Sequence, residues 1–219
     1  MARMTSSEAE TTALRTVAAL MAASARTAPK TQGIDNMTTL VLDGEDLETF
    51  AASMEARADT AKPGLRATFL RHGAASVRKA GAIVLIGVTG KPKRLEAALD
   101  CGGCGFRTCQ ELLEARNRGT DQDFLGPNCI HQVMDLGIAL GSAAKTAMDL
   151  NVDNRLMFII GVAARVLGLI EADVVIGIPL SITGKNPYFD RIPLRSVPAK
   201  LAEKGPGGAP PAGAPGTSR

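Results

Sequence analysis

Apolar positions in the first part of the chain recur at helical spacing. Leu14, Val17, Leu20 and Met21 predict a helix over residues 5–25, with Ser6 or Ser7 as its cap and Pro29 as its stop. Residues 30–36 read as a loop containing Gly33. Residues 37–42, rich in Thr, Val and Leu, read as a strand closed by Asp43-Gly44. Helices are expected over 47–58 and 67–79. Residues 83–88 form a continuous apolar run, rich in β-branched residues, between Gly81 and Gly90, the pattern of a strand buried on both faces. Two further helices follow at 130–150 and 155–167, then a strand over 173–178 ended by Pro179. The pairs Asp35-Asn36 and Asp153-Asn154 read as turns or helix caps. With both helices and strands along its length, the chain is read as an α+β fold.

The helix over 135–149 is thin. Gly137, Ala139, Gly141, Ser142, Ala143, Ala144 and Ala147 lie within it. Each helical Gly costs about 1 kcal/mol relative to Ala, so two of them ask for a packing reason, namely a second helix at close range.

Residues 1–204 are read as one domain. Residues 205–219, mostly Gly, Pro and Ala, have nothing to bury and are expected to be a disordered tail. Of the 219 residues, 45% are hydrophobic, 21% charged and 3% aromatic, with no Trp. The core must therefore be mostly aliphatic, and stacking platforms for bases are nearly absent. A net charge of +3 without a basic stripe also points away from nucleic acid. Lys91, Lys93 and Arg94 are the densest basic group and read as a solvated loop. No apolar run is long enough to span a bilayer, and no secretory or transit leader is visible, so a cytoplasmic protein is expected.

All four cysteines fall in residues 101–129, as CGGCGFRTC and then GPNC: Cys101, Cys104, Cys109 and Cys129. The spacing C-x2-C-x4-C-x19-C signals a shared inorganic ligand. Gly102, Gly103 and Gly105 permit sharp turns whose N–H groups can face inorganic sulfide. Thr108 and Glu111 fit a capping box, which places Cys109 at a helix N-terminus with an expected lowered thiol pKa. Glu114 and Arg118 form an i,i+4 pair, and Gly119 stops the helix. Structural zinc usually takes two C-x2-4-C knuckles, whereas only Cys101 and Cys104 form one here. A redox C-x-x-C pair leaves Cys109 and Cys129 without a role, and disulfides need an oxidising compartment. A 4Fe–4S cluster bound by all four thiolates fits best. His131 could serve as a ligand, or simply open the next helix. His72 has no partner in sequence. Arg107, between two of the cysteines, could tune a cluster's potential or be a plain surface charge.

CGGCGFRTC…GPNC resembles the four-cysteine domain of electron-transfer subunits and corrinoid-linked iron–sulfur proteins, which implies a 4Fe–4S cluster on those four residues. The segments ARTAPKTQGIDN, AIVLIGV, DLGIALGSAAKTA, NVDNR, GVAARVLGL and ADVVIGIPLSITGKNPYFDR, together with the cysteine module, are similar to a family of microbial proteins known for a ferredoxin domain. The order ARTAP, TTLVL, DLGIALGSAAKTA, VLGL, DVVIGIP also resembles the nitroreductase scaffold. That likeness implies a module inserted within 82–144, with its core at 101–129, FMN as a further cofactor, and a homodimer through the thin helix. Packing inside the monomer is the alternative reason for that helix. Two departures count against FMN. The Arg-rich segment before the first helix has no counterpart, and Asp35-Asn36-Met37-Thr38 replaces the polar-aromatic motif. Lys185 and Arg191 lie where a late phosphate contact would fall, or are surface charges.

Three functions remain open from sequence: an electron-transfer protein with an unidentified redox partner, a flavin oxidoreductase with an auxiliary cluster, or a structural or sensing cluster. No acid–base pair, triad or phosphate loop stands out, and the text TGK at residues 183–185 is too short for a P-loop.

Overall fold

The computed structural model describes residues 3–117 and 122–190. The expected tail, Arg191, Arg118 of the expected Glu114–Arg118 pair, and the Gly119 stop lie outside the described residues. Ten main elements follow in order: α1 (Ser6–Thr27), β1 (Met37–Asp43), α2 (Glu45–Thr60), α3 (Leu65–Arg78), β2 (Ala82–Val88), α4 (Cys109–Asn117), α5 (Ile130–Asp149), β3 (Asp153–Asn154), α6 (Phe158–Val166) and β4 (Val174–Ser181). The α+β expectation holds. Thr5, rather than Ser6 or Ser7, caps α1. Its hydroxyl accepts from the Glu8 N–H while the Glu8 carboxylate accepts from the Thr5 N–H, a reciprocal capping box.

The strands form one antiparallel sheet in the order β1-β2-β4-β3. β2 is buried along its whole length, as its continuous apolar run predicts. Its alternate side chains feed two cores. Ile83 and Leu85 pack with Phe50, Met54, Leu70 and Ile160 of α2, α3 and α6. Val84 and Ile86 pack with Met21, Leu136 and Ala143 of α1 and α5. Burying each such large side chain stabilises the fold by about 2 kcal/mol.

Three sequence expectations need correction. β4 runs through Pro179 rather than ending there. Met157 exchanges both backbone hydrogen bonds with Gly177, at 2.8 and 3.2 Å, so the odd positions of β4 face the β3 edge. Pro179 meets that edge between the short β3 and Met157, where its missing N–H breaks no ladder bond. Asp153-Asn154 is not a turn but β3 itself, paired with Ser181 and Leu180. The helix predicted over 155–167 begins later, at Phe158, because Met157 is taken up in that bridge.

The thin helix α5 packs on α1 through Ala139, Ala143 and Ala147, and the hydroxyls of Ser24 and Ser142 meet at 2.7 Å. Gly137 and Gly141 face outward instead. A Cβ on either would meet no heavy atom within 4 Å, so packing inside the monomer does not account for them. No described helix is long and apolar enough to cross a membrane.

The cysteine module leaves from the C-terminal end of β2. There Met37 of β1 pairs with Val88, and Val88 pairs with Val174 of β4, so three strands meet at one edge of the sheet. Residues 89–117 and 122–129 hang from that edge, and the latter feed directly into α5.

Candidate metal centre

The first two cysteines sit on a tight, left-handed stretch of backbone. Asp100, Gly102 and Gly105 have φ of 42°, 71° and 87°. Glycine adopts such angles without Cβ strain. The Gly105 N–H donates to Gly102 O at 2.9 Å, closing the turn between Cys101 and Cys104. Gly103 lies against α5: a Cβ there would stand 2.8 Å from Ile130 Cγ2 and 3.7 Å from Cys101 Sγ.

Cys109 opens α4. The Glu111 N–H donates to Thr108 Oγ1 at 3.1 Å, as the capping box predicts. The Glu111 carboxylate, however, accepts from the Arg107 N–H at 3.0 Å rather than from Thr108. Asp100 Oδ1 accepts the Cys109 N–H at 2.7 Å, so the residue before Cys101 caps the helix that carries Cys109. The expected fall in the Cys109 thiol pKa is not found. Burial pushes it up, with the Asp100 carboxylate adding to the rise through its side chain and its charge.

Cys129 is the N-cap of α5. Its N–H donates to Gly90 O at 2.8 Å, which fastens it to the segment leaving β2, and its carbonyl accepts the Val133 N–H at 3.3 Å. Helices α4 and α5 therefore both present their N-terminal ends beside a cysteine, where the helix dipole favours negative charge.

All four cysteines line a single cavity. Leu99, Phe106, Leu112 and Ile130 supply its apolar wall. The thiols are graded by depth: Cys129 is buried, Cys104 and Cys109 are partly so, and Cys101 is exposed. His131 also lines this cavity and is half-buried. His72 lies on α3, away from it. Arg107 is exposed and does not line it. Among the described residues no three His, Cys, Asp or Glu side chains gather on the position of one metal ion. Lys185 pairs with Asp190 on the surface, at 2.6 Å.

Two polar pairs behind the cavity went unread in the sequence. Lys93, expected in solvent, is buried, with its side chain 4% exposed, and lines the cavity wall. Its ammonium donates to Asp135 Oδ2 at 2.5 Å and to Ile34 O at 2.6 Å. Asp135 also accepts the Thr31 N–H at 3.0 Å and the Thr31 hydroxyl at 2.9 Å. Burial pushes the Asp135 carboxyl up, but the bonds from Lys93 and Thr31 outweigh it and hold the group below the usual carboxylate range. The readable signal was that Gln132 and Asp135 fall in register with Leu136, Ala139 and Ala143 on the inner face of α5. The second pair is Arg116 with Asp173. Arg116 follows Leu112 by four residues, so both lie on the inner face of α4.

A family model described as "Uncharacterized protein containing a ferredoxin domain (DUF2148)" matches residues 125–191, a span that includes Cys129. An uncharacterized protein of Archaeoglobus fulgidus is 47% identical over 180 residues, covering 82% of this chain and 92% of its own. Among solved structures, a BluB-like flavoprotein from Clostridium difficile is 14% identical with a TM-score of 0.45, covering 82% of this chain and 86% of its own. An FMN-dependent nitroreductase from Mycobacterium smegmatis, solved with NADPH, is 11% identical with a TM-score of 0.47, covering 83% and 86%. A nitroreductase with bound FMN from Desulfitobacterium hafniense is 14% identical with a TM-score of 0.43, covering 87% and 85%.

Proposed function

The chain belongs to the family of proteins described as uncharacterized and containing a ferredoxin domain, and on that premise we propose that it binds a 4Fe–4S cluster through Cys101, Cys104, Cys109 and Cys129 and serves in electron transfer. The observation that carries this reading is that the four thiols of one short module line one cavity. A single zinc ion draws its thiolates to one point. A cubane binds each thiolate at a separate iron, which suits four cysteines lining one cavity.

Once bound, the cluster would supply one-electron chemistry. The chain's own residues do the rest. Gly102 and Gly105 bend the backbone so that Cys101 and Cys104 share one turn. The N-terminal ends of α4 and α5 offset the negative charge of thiolate and sulfide. Leu112, with the partly buried Phe106 and Ile130, keeps water from part of the cavity wall, which sets the dielectric that any charge there experiences. Cys101, the exposed thiol, marks the side from which a redox partner would exchange electrons.

The test is anaerobic purification followed by assay of iron, acid-labile sulfide, zinc and flavin. Iron and sulfide in near-equal amounts, with visible absorbance bleached by dithionite, are expected. Zinc without sulfide sinks the reading. Extractable FMN alongside iron would make the protein a flavin oxidoreductase with an auxiliary cluster.

A further inference from the structure

Asp100 is tied to two of the four cysteines. The peptide bond joins it to Cys101, and its Oδ1 accepts the Cys109 N–H at 2.7 Å. It lines the same cavity as both. Its backbone is left-handed, with φ of 42°, a conformation that Gly, Asn and Asp adopt and most side chains avoid. The first N–H groups of a helix have no partner within it. On α4, Thr108 Oγ1 takes the N–H of Glu111 and Asp100 takes that of Cys109. The Asp100 carboxylate acts on the Cys109 sulfur as well, adding to the rise that burial imposes on the thiol. Glu111, the other acid on this turn, accepts the Arg107 N–H instead and does not line the cavity.

We propose that Asp100 is a positioning residue with two separable effects on the cluster: its oxygen and left-handed backbone hold Cys101 and Cys109 in one arrangement, and its negative charge beside Cys109 lowers the reduction potential. Reduction adds one negative charge to the cluster, and a carboxylate in contact with a ligand residue opposes that step. Asp100 is exposed, so solvent screens part of its charge and the effect is moderate. It is not itself a ligand. The inference rests on the cluster reading.

The experiment is potentiometric titration of the iron-loaded protein at about pH 8, where carboxylates are ionised, together with the rate at which a chelator removes iron. Asn offers an oxygen acceptor of similar shape, caps helices as well as Asp does, and tolerates the left-handed backbone. Asp100→Asn should therefore lose iron at the parent's rate. Its reduced-to-oxidised ratio at fixed ambient potential should rise about threefold, which is about 28 mV for one electron. Asp100→Ala has no acceptor and suits the backbone poorly, so it should lose iron several-fold faster than either.

Salt separates charge from shape. The screening length shrinks from about 30 Å at about 0.01 M salt to about 3 Å at about 1 M. The gap in potential between Asp100→Asn and the parent should narrow across that range. A merely structural role would leave Asp100→Asn at the parent potential, or shift it equally at both salt concentrations, and either result overturns the proposal. An Asp100→Asn protein that fails to hold iron overturns it too, because Asn supplies both the acceptor and the backbone. So does an Asp100→Ala protein that keeps iron as long as the parent. Parent protein without iron and sulfide would sink the cluster reading itself, an outcome separate from every one of these.

Discussion

The guanidinium of Arg116 and the carboxylate of Asp173 meet at 2.6 Å, Nη2 to Oδ2, and are 8% and 16% exposed. Arg116 ends the helix that Cys109 opens. Its Nη1 donates to Pro127 O at 2.5 Å and to Asn128 Oδ1 at 2.8 Å, just before Cys129. Asp173 Oδ2 accepts the Gly90 N–H at 2.6 Å, and Gly90 O in turn accepts the Cys129 N–H. One arginine thus ties the third and fourth cysteines to each other and to the edge of the sheet. Removing one partner of a buried ion pair costs about 3–5 kcal/mol. Arg116→Ala should therefore lower Tm by about 10 °C in a chain of this size, read by calorimetry on the purified protein. A shift below about 2 °C would mean that the clasp adds nothing to stability.

The same clasp explains Gly90. A Cβ at that position would lie 1.7 Å from Asn128 Oδ1 and 2.7 Å from Arg116 Nη1. Gly90→Ala should displace Asn128 from Arg116 and loosen the approach to Cys129. The expected result is faster loss of iron to a chelator, followed by absorbance. A rate equal to the parent's would show that the loop absorbs the methyl by moving elsewhere.

Cys109 and Cys129 reach the cavity from two different helices, so they test whether the module acts as one site. Cys109→Ser and Cys129→Ser should each lose most of the bound iron after anaerobic purification, while far-ultraviolet circular dichroism still reports the folded sheet and helices. Full iron content in either variant removes that residue from the ligand set.

The scaffold was legible where the pattern was local and strong. β2 announced itself because every residue from Ile83 to Val88 is apolar or Gly, and the structure buries all of them. The four cysteines were legible because their spacing was dense enough to need no tertiary information. Lys93 was misread because side-chain burial depends on what folds over it. The partners that bury it, Ile34 and Asp135, lie far away in sequence, and nothing local distinguishes Lys93 from exposed Lys91. Pro179 misled for a related reason: whether a strand proline breaks a bond depends on which edge its nitrogen faces. Asp153-Asn154 failed likewise, since a two-residue strand has no periodicity to read.

His72 gives a pH dependence separate from that of the carboxylates. Burial, with the positive charges of Arg155 and Lys79, pushes its pKa below the ordinary value. The unfolded chain then binds a proton that the folded chain resists, so stability rises with pH across that window and falls as pH drops below about 6.5. His72→Gln should flatten the dependence of Tm on pH between about 6.5 and 5. A parent-like slope in the variant would assign the loss to other groups.

Gly137 and Gly141 offer the last test, because the monomer leaves both unexplained. They share an outward face of α5 with the exposed Met134, Ile138 and Met148. With no heavy atom within 4 Å of either added Cβ, alanine should simply favour the helix, by about 1 kcal/mol at each site. The double variant Gly137→Ala, Gly141→Ala is therefore expected to melt about 5 °C higher, with its light-scattering mass unchanged. A lower Tm, together with the loss of a heavier species present in the parent, would place a second chain's backbone against these glycines. That outcome would turn the thin helix from an open face into a contact between two copies of the chain.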